Sequence, residues 1–323
     1  MNYSDIDEKV LDRIQKLKEK YGASGQDLLS YLDGLLYADY LTYWDYIHLD
    51  TLLTLQVPRT SFPDENIFII YHQISELYFK LIRLEMEQLS EAGKPDAGTY
   101  LMRLNRINRY FEHLVSSFDV MVDGMDQQQF LAFRMSLLPS SGFQSGQYRL
   151  IELQATTLKN LVENVEKVNL SPDADEEKLI QQLYWRKGAT ELATGNKTLT
   201  LRQFEDKYAE EFLHAARKYK DTNLYSLYQQ YFSEADEKDA LVEALRKLDY
   251  LANVGWRLAH YKAAVRYLHK DPEDIAATGG TNWQKYLPPR FQRTIFYPEL
   301  WSEAEKEDWG KRWVFKEVFN KEE

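Results

Sequence analysis

Apolar residues recur at intervals of three and four along almost the whole sequence, and this spacing is the feature that most limits the possible folds. On a helix, such spacing places the apolar side chains on one face. The alternation of apolar and polar residues that indicates a β-strand is hard to find between turn residues. The sequence therefore predicts an all-α protein.

The predicted helices end at glycine, proline or polar loops. The first helix covers residues 4–21 and ends at Gly22, which is placed as a C-cap, and the second begins after Ser24. The chain over residues 185–221 is polar and mixed, and a surface loop is predicted within it. Longer helices are predicted over residues 65–92, 95–122, 126–138, 144–168 and 236–270.

One large helical domain with a smaller insertion fits these helices better than two equal domains. The large domain combines residues 61–169 with residues 234–323. The insertion is predicted over residues 170–233 as a smaller helical unit, and residues 1–60 form N-terminal helices.

Charge and cysteine content exclude several classes of protein. The 323 residues contain 40 Lys and Arg against 51 Asp and Glu, with a net charge of -11, which argues against nucleic acid as the main partner. The absence of cysteine excludes disulfides, thiolate nucleophiles, Cys-ligated zinc, iron–sulfur clusters and Cys-ligated haem. Because the charged start does not resemble a signal peptide and no stretch reaches the ~18 apolar residues of a membrane span, we expect a cytoplasmic protein without membrane contact.

Four of the six histidines give no clear sign of chemistry. His113, His214 and His269 stand among charged residues and are expected at the surface, whereas His48 is undecided. Glu211 and His214 form one Glu-x-x-His step of the kind found in di-iron helical bundles. Those bundles need two such steps and two further glutamates, so the di-iron interpretation is poorly supported.

His72 and His260 stand out because each falls on an apolar or small-residue face of a predicted helix. His72 shares its face with Phe68, which predicts either a hydrogen-bonded core histidine or a functional one. His260 is followed on its face by Ala263 and Ala264, and small neighbours leave flat space beside an imidazole, as a haem ligand needs. Alanine is also the strongest helix former, so this signal alone leaves both interpretations open.

Arg134 is placed among apolar residues, including Phe130 and Phe133. A guanidinium keeps its charge, so a buried Arg134 must meet an anion, and its planar fork suits a carboxylate. The alternative is a surface arginine whose aliphatic stem alone packs on the apolar residues.

Six blocks of the sequence, in order along the chain, resemble the tryptophan 2,3-dioxygenase family, whose members are haem enzymes that open the indole ring of tryptophan with O₂. The blocks are YWDYIHLDTLL, FIIYHQISELYFK, FLAFRMSLLPSSGFQSGQYRLIE, WRLAH, ATGG and FYPEL. They cover most of the chain, and the polar middle matches least. The resemblance implies an all-α haem-binding domain and a role in tryptophan catabolism.

The resemblance also implies roles for single residues near the haem. His260 matches the axial ligand of the haem iron, and Ser141 matches a serine near the haem. His72 matches the distal histidine, which faces the indole N–H and is the expected catalytic residue. Phe68 matches an aromatic wall of the substrate pocket, and Phe130 falls where members have tyrosine or phenylalanine.

The remaining matches concern the amino-acid part of the substrate and the neighbouring subunit. Arg134 matches the arginine that binds the substrate carboxylate, and Thr278 matches a threonine that contacts the same head group. Tyr43, Tyr46 and Ile47 match a segment that reaches into the pocket of a neighbouring subunit. The resemblance therefore implies exchange of the N-terminal segment between subunits and a homotetramer built as a dimer of dimers.

The expected reaction is cleavage of the indole C2–C3 bond of L-tryptophan by O₂ to N-formyl-L-kynurenine, with one haem b per subunit. The loop around Thr278 departs from the family pattern at Ala277 and over residues 281–283, and residues 269–276 contain an insertion. A substituted tryptophan therefore stays open as the substrate. The alternative functions are a related haem-dependent aromatic oxygenase and a non-catalytic haem sensor.

Overall fold

The computed structural model describes residues 7–38, 41–137, 144–162, 175–189, 196–268 and 293–310. Within these ranges the chain is helical and forms no β-sheet, and the pairing of Val162 with Leu183 is an isolated bridge. This confirms the all-α prediction. None of the helices in these ranges is both long enough and apolar enough to cross a membrane.

The chain divides into two compact units, residues 1–57 and residues 58–323. The helices of the first unit contain no buried residue, although many of their side chains are large and apolar. These helices are α1 Glu8–Ala23, α2 Leu28–Leu36, α3 Tyr43–Tyr46 and α4 Leu49–Leu52.

The ends of the first two helices differ from the prediction. Helix α1 continues through Gly22 to Ala23, and the residue with a left-handed backbone is Gly25, at φ 68°. Helix α2 is capped by Asp27 and not by Ser24, because the Asp27 carboxylate accepts hydrogen bonds from the N–H groups of the first turn.

The second unit contains the main hydrophobic core, in which α5 packs against α6 and α9. The predicted helix over residues 144–168 is shorter than expected and is interrupted after Ala155. The first helical elements of this unit are α5 Asp64–Glu91, α6 Ala97–Ser117, α7 Asp119–Val122, α8 Gln127–Phe133, a 3₁₀ turn Arg134–Leu137, α9 Gly146–Ala155 and α10 Leu158–Leu161.

The region that is polar and mixed in composition contains a twenty-residue helix, which agrees with the predicted helical character of residues 170–233 and whose bounds were not predicted. Its polar residues form the outer face, while Phe204, Phe212 and Ala215 are buried in the same core as α5 and α6. The predicted insertion over residues 170–233 therefore shares this core in its described parts, and its status as a separate domain stays a prediction. Its helices are α11 Glu176–Gln181, α12 Tyr184–Gly188, α13 Leu199–Lys218 and α14 Leu224–Tyr231.

A long helix follows and contains one wider turn. It consists of α15 Lys238–Tyr250, a π-turn Leu251–Gly255 and α16 Trp256–Leu268. The Tyr148 hydroxyl, on α9, donates a hydrogen bond to the Ala252 carbonyl inside the π-turn at 2.9 Å. The predicted helix over residues 236–270 is confirmed for residues 238–268, but its periodicity gave no sign of the π-turn.

The last described segment is attached to the long helix by a buried carboxylate. Asp249 accepts hydrogen bonds from the backbone N–H groups of Phe296 and Tyr297 at 2.9 and 3.1 Å, from Trp301 Nε1 at 3.0 Å and from Asn253 Nδ2 at 2.8 Å. Its burial raises the pKa of Asp249 to about 6. The segment contains a 3₁₀ turn Pro298–Leu300 and α17 Glu303–Glu307.

Candidate functional site

His260 lies in the second turn of α16, and its ring is oriented by the backbone. Nδ1 lies 2.9 Å from the carbonyl oxygen of Trp256, one turn earlier. Because a carbonyl oxygen can only accept, Nδ1 carries the hydrogen, and the neutral ring keeps a lone pair on Nε2. Burial lowers the pKa of His260 to about 4, so the ring is neutral at pH 7.

The surroundings of His260 combine large rings with small residues. The Trp256 ring lies 4.4 Å away at 80°, and the Phe118 ring lies 4.3 Å away, between ring centroids. Ala263 and Ala264, on the following turn, are half-buried, as is His260 itself. The imidazole is therefore held from one side by aromatic rings and keeps part of its surface open.

His72 lies on α5 and has the same backbone arrangement. Its Nδ1 donates to the Phe68 carbonyl at 2.7 Å, which leaves the Nε2 lone pair free. Burial lowers its pKa, and the nearby Glu76 carboxylate opposes this only in part. The side chain is nevertheless exposed, so the surrounding protein atoms desolvate the ring without covering it.

The two imidazoles belong to one site. The pKa of His260 is lowered first by burial and further by the charge of His72, so the two rings lie within range of direct electrostatic interaction. Two aromatic rings connect them: Tyr71 lies 6.3 Å from His72 and 5.5 Å from Phe118, which contacts His260. The structure therefore brings together the two histidines that the sequence singled out.

An aromatic cluster extends the site along α5. Phe68 lies 4.1 Å from the His72 ring and 6.3 Å from Phe130, between centroids. Phe133 lies 5.8 Å from Phe68, and Phe130 lies 4.8 Å from Tyr267 on α16. These contacts join α5, α8 and α16 around an apolar wall, which suits a flat aromatic ligand.

Arg134 lies at the edge of this cluster. Its backbone N–H donates to the Phe130 carbonyl, one turn earlier, so the two residues share a helix face. It follows the fully buried Phe133 and is itself half-buried. Arg134 is therefore half-buried next to the apolar wall, and a guanidinium beside such a wall suits the anionic end of a ligand.

Several predicted residues cannot be placed in this site. Ser141 and Thr278 lie outside the described residues, as does the loop with Ala277. Tyr43 and Tyr46 are exposed and Ile47 is half-buried in the N-terminal unit, so their predicted contact with another subunit stays a prediction.

The sequence analysis missed several residues that shape the site. Trp256 could have been found, because it stands four residues before His260 and therefore shares its helix face. Phe118 comes from a different helix, and nothing in its local sequence points to His260. Arg257 was also missed; its Nη2 donates to the Tyr184 hydroxyl at 2.8 Å, which anchors the turn before His260.

The other histidines agree with the prediction where they are described. His113 and His214 are exposed, and so is His48, which has a left-handed backbone at φ 51°. In the part of the chain that the structure describes, no three His, Asp or Glu side chains are grouped so that they could hold a metal ion. The Glu211 and His214 pair therefore gains no support as a di-iron site.

Comparison with known proteins gives consistent matches. The family model for tryptophan 2,3-dioxygenase matches residues 35–266. The tryptophan 2,3-dioxygenase of Polaromonas naphthalenivorans is 31% identical over 273 residues, which are 80% of this chain and 88% of the relative. That of Bradyrhizobium sp. strain BTAi1 is 32% identical over 269 residues, 80% of this chain and 89% of the relative. A shorter match, 44% identical over 117 residues, covers 36% of this chain and 42% of the enzyme of Ruegeria sp. strain TM1040.

Proposed function

This chain belongs to the tryptophan 2,3-dioxygenase family, and from this premise we propose that it cleaves the indole C2–C3 bond of L-tryptophan with O₂. The product is N-formyl-L-kynurenine, which contains both oxygen atoms. The observation that carries the proposal is the pair of neutral imidazoles, His72 and His260, which the Tyr71 and Phe118 rings connect and which each keep a free Nε2 lone pair.

The residues around His260 fit a haem. An iron ligand needs a deprotonated ring nitrogen, and a histidine ligand commonly donates its other N–H to a backbone carbonyl, as His260 does to Trp256. The half-buried Ala263 and Ala264 leave room for a flat ring system. We assign one haem b per subunit, held by His260 with Ser141 nearby; when bound, it supplies the oxygen chemistry.

His72 orients the substrate. Its Nδ1–H is engaged by the Phe68 carbonyl, so its Nε2 can only accept a hydrogen bond while the ring is neutral. The indole N–H is a donor that matches this acceptor. His72 therefore holds the indole in one orientation, and Phe68 and Phe130 form the wall against its face.

Arg134 binds the substrate carboxylate. An amino-acid substrate has a carboxylate at one end and an aromatic ring at the other, which matches a guanidinium at the edge of an aromatic cluster. Thr278 contacts the same head group in this proposal. L-tryptophan is the proposed substrate on these grounds.

The N-terminal unit completes the pocket of a neighbouring subunit. Its helices contain no buried residue, and large apolar side chains such as Tyr43 and Tyr46 are exposed. Exposed apolar surface of this extent favours burial in an assembly. We assign Tyr43, Tyr46 and Ile47 to the substrate pocket of a second subunit within a homotetramer.

The purified protein tests this proposal. A haem Soret band that shifts on addition of L-tryptophan, and a product with both atoms of ¹⁸O₂, are expected. Incorporation of one labelled atom indicates a monooxygenase instead. His260→Ala should lose most of its haem, and full haem content with an unchanged spectrum in that variant contradicts the assignment of the ligand.

A further inference from the structure

Helices α5 and α8 begin next to each other, and hydrogen bonds join their first residues. The backbone N–H of Asp126, which caps α8, donates to the Asp64 carboxylate at 2.5 Å. The N–H of Asp64, the first residue of α5, donates to Gln129 Oε1 at 3.3 Å. The N–H of Gln129 donates to the Asp126 carboxylate at 2.9 Å. These three bonds form a closed ring through Asp64, Asp126 and Gln129, which we call the Asp64 joint.

The donors of the joint fix its arrangement. The first N–H groups of a helix have no acceptor within that helix, and here each helix supplies an acceptor to the other. A backbone N–H can only donate, so the oxygen and not the nitrogen of the Gln129 amide faces Asp64. Because Asp64 is buried, loss of either bond between the helices would leave a buried polar group without its partner. The joint therefore fixes both the distance and the register between the two helix starts.

The residues of the proposed substrate site follow the joint at matching positions. On α5, Phe68 lies one turn after the joint and His72 lies two turns after it. On α8 and the 3₁₀ turn that continues it, Phe130 and Arg134 lie one and two turns after the joint. The rings of Phe68 and Phe130 are 6.3 Å apart between centroids. Two rows of side chains therefore run from the joint, one to the histidine assigned to the indole and one to the arginine assigned to the carboxylate.

The position of Arg134 relative to His72 depends on how α8 is held. Helix α8 has seven residues, which is too short for a helix to be stable by itself. Apolar ring contacts along α8 are not directional and permit sliding, whereas the hydrogen bonds of the joint set a register. Arg134 lies about 12 Å beyond the start of α8, so a tilt of about 10° at the joint would move it by about 2 Å. A displacement of that size breaks a hydrogen-bonded pair between a guanidinium and a carboxylate.

We propose that Asp64 is a positioning residue for the substrate, which acts by holding Arg134 at a fixed place relative to His72. Asp64 acts through the start of α8 and not by contact with the ligand. The same start is attached to α16, since Gln127 Nε2 donates to the Arg266 carbonyl at 3.1 Å. The joint thus also refers Arg134 to the helix that contains His260. This inference rests on the proposed function, from which the roles of Arg134 and His72 are taken.

Binding of L-tryptophan to the haem-loaded full chain, measured by calorimetric titration, tests the proposal. Asp64→Ala should raise the Kd about tenfold, because Arg134 keeps its charge but loses its fixed position. Asp64→Asn retains an oxygen that can accept from Asp126, so its Kd should lie within about threefold of the wild type. In a chain that already carries Arg134→Ala, the further change Asp64→Ala should alter the Kd by less than about twofold.

Asp96→Ala is the matched control. The Asp96 carboxylate caps α6 and accepts from the Thr99 N–H at 2.9 Å, and it follows the end of α5 that is remote from the joint. This variant should lower the melting temperature and leave the Kd unchanged. Hydrogen exchange of the Asp126 amide in the haem-free protein reports on the joint without ligand or turnover. The exchange should become faster in Asp64→Ala and stay unchanged in Asp96→Ala.

Three outcomes contradict the proposal. A wild-type Kd for Asp64→Ala overturns it, and so does a further loss of affinity when Asp64→Ala is added to Arg134→Ala, which would show that Asp64 acts on another part of the site. A wild type that binds no L-tryptophan overturns the proposed function, and this proposal with it. If Asp64→Ala does not fold, Gln129→Ala removes the other bond between the helices and is judged by the same values.

Discussion

Replacement of Tyr148 by phenylalanine should weaken the π-turn before His260. The Tyr148 hydroxyl donates to the Ala252 carbonyl at 2.9 Å, and both residues are buried. Burial raises the pKa of Tyr148 above its ordinary value of 10.0, so the hydroxyl keeps its proton and remains a donor. Phenylalanine preserves the ring and its contact with Phe79, at 5.4 Å between centroids. The substitution therefore removes a hydrogen bond without leaving a cavity.

The expected decrease in the free energy of unfolding follows from the buried Ala252 carbonyl, which loses its donor. A buried acceptor that loses its partner costs about 1–3 kcal/mol, and a carbonyl in a helix keeps some other contacts, so we expect about 1.5 kcal/mol. With a urea m-value of about 3 kcal/mol/M, the unfolding midpoint should fall by about 0.5 M. Hydrogen exchange should also become faster within Leu251–Gly255.

Tyr78→Phe is the matched control, since Tyr78 is half-buried on α5 and makes no hydroxyl hydrogen bond with another described residue. It should leave the urea midpoint within about 0.1 M of the wild type. An unchanged midpoint and unchanged exchange in Tyr148→Phe would refute the assigned role of the hydroxyl. An equal decrease of the urea midpoint in both variants would show that general packing, and not the Tyr148 hydrogen bond, causes the effect.

Three further predictions follow from the site and the core. Arg134→Ala should weaken tryptophan binding by about 2–5 kcal/mol and His72→Ala by about 1 kcal/mol, measured by calorimetric titration, and the reverse order contradicts the two roles. The haem-free protein should lose stability as the pH falls from about 6.5 to about 4, because His260 titrates near 6.5 when unfolded and about 4 when folded; His260→Ala should show a smaller loss in urea titrations across this range. Gly146→Ala should lower the melting temperature, since its new Cβ would lie 2.6 Å from the Tyr208 ring, whereas Gly34→Ala has nothing within 4 Å and should not. An equal melting temperature for both glycine variants would show that the Tyr208 ring yields without cost.

The sequence predicted those parts of the fold in which local periodicity and burial agree. Helix α5 lies within one residue of its predicted bounds at each end, and the long helix begins two residues after its predicted start. The bounds of helix α13 were not predicted because its sequence is rich in charged residues, although Leu201, Phe204, Tyr208, Phe212 and Ala215 follow helical spacing. The partners that bury this apolar face come from elsewhere in the chain, and periodicity gives no information about them.

The contacts of the site also divide into those that local spacing predicts and those that only the packing of helices produces. His260 and Trp256 share one helix, so their contact follows from spacing alone. The contact between Phe118 and His260 joins α16 to the end of α6, and only the packing of helices brings it about. Family resemblance supplied the role of Arg134, while the structure adds its position beside the aromatic cluster.

The π-turn has a consequence for how this site could arise or be lost. A π-turn contains one residue more than an α-turn, so winding Leu251–Gly255 as regular α-helix would swing every later side chain by about 100°. His260 would then leave Phe118 and turn away from His72, although no residue of the site had changed. The direction of the His260 side chain therefore depends on how the five residues Leu251–Gly255 are wound. A relative that lacks one residue in this stretch keeps the same direction with a regular helix, because the deletion removes the residue that the wider turn accommodates.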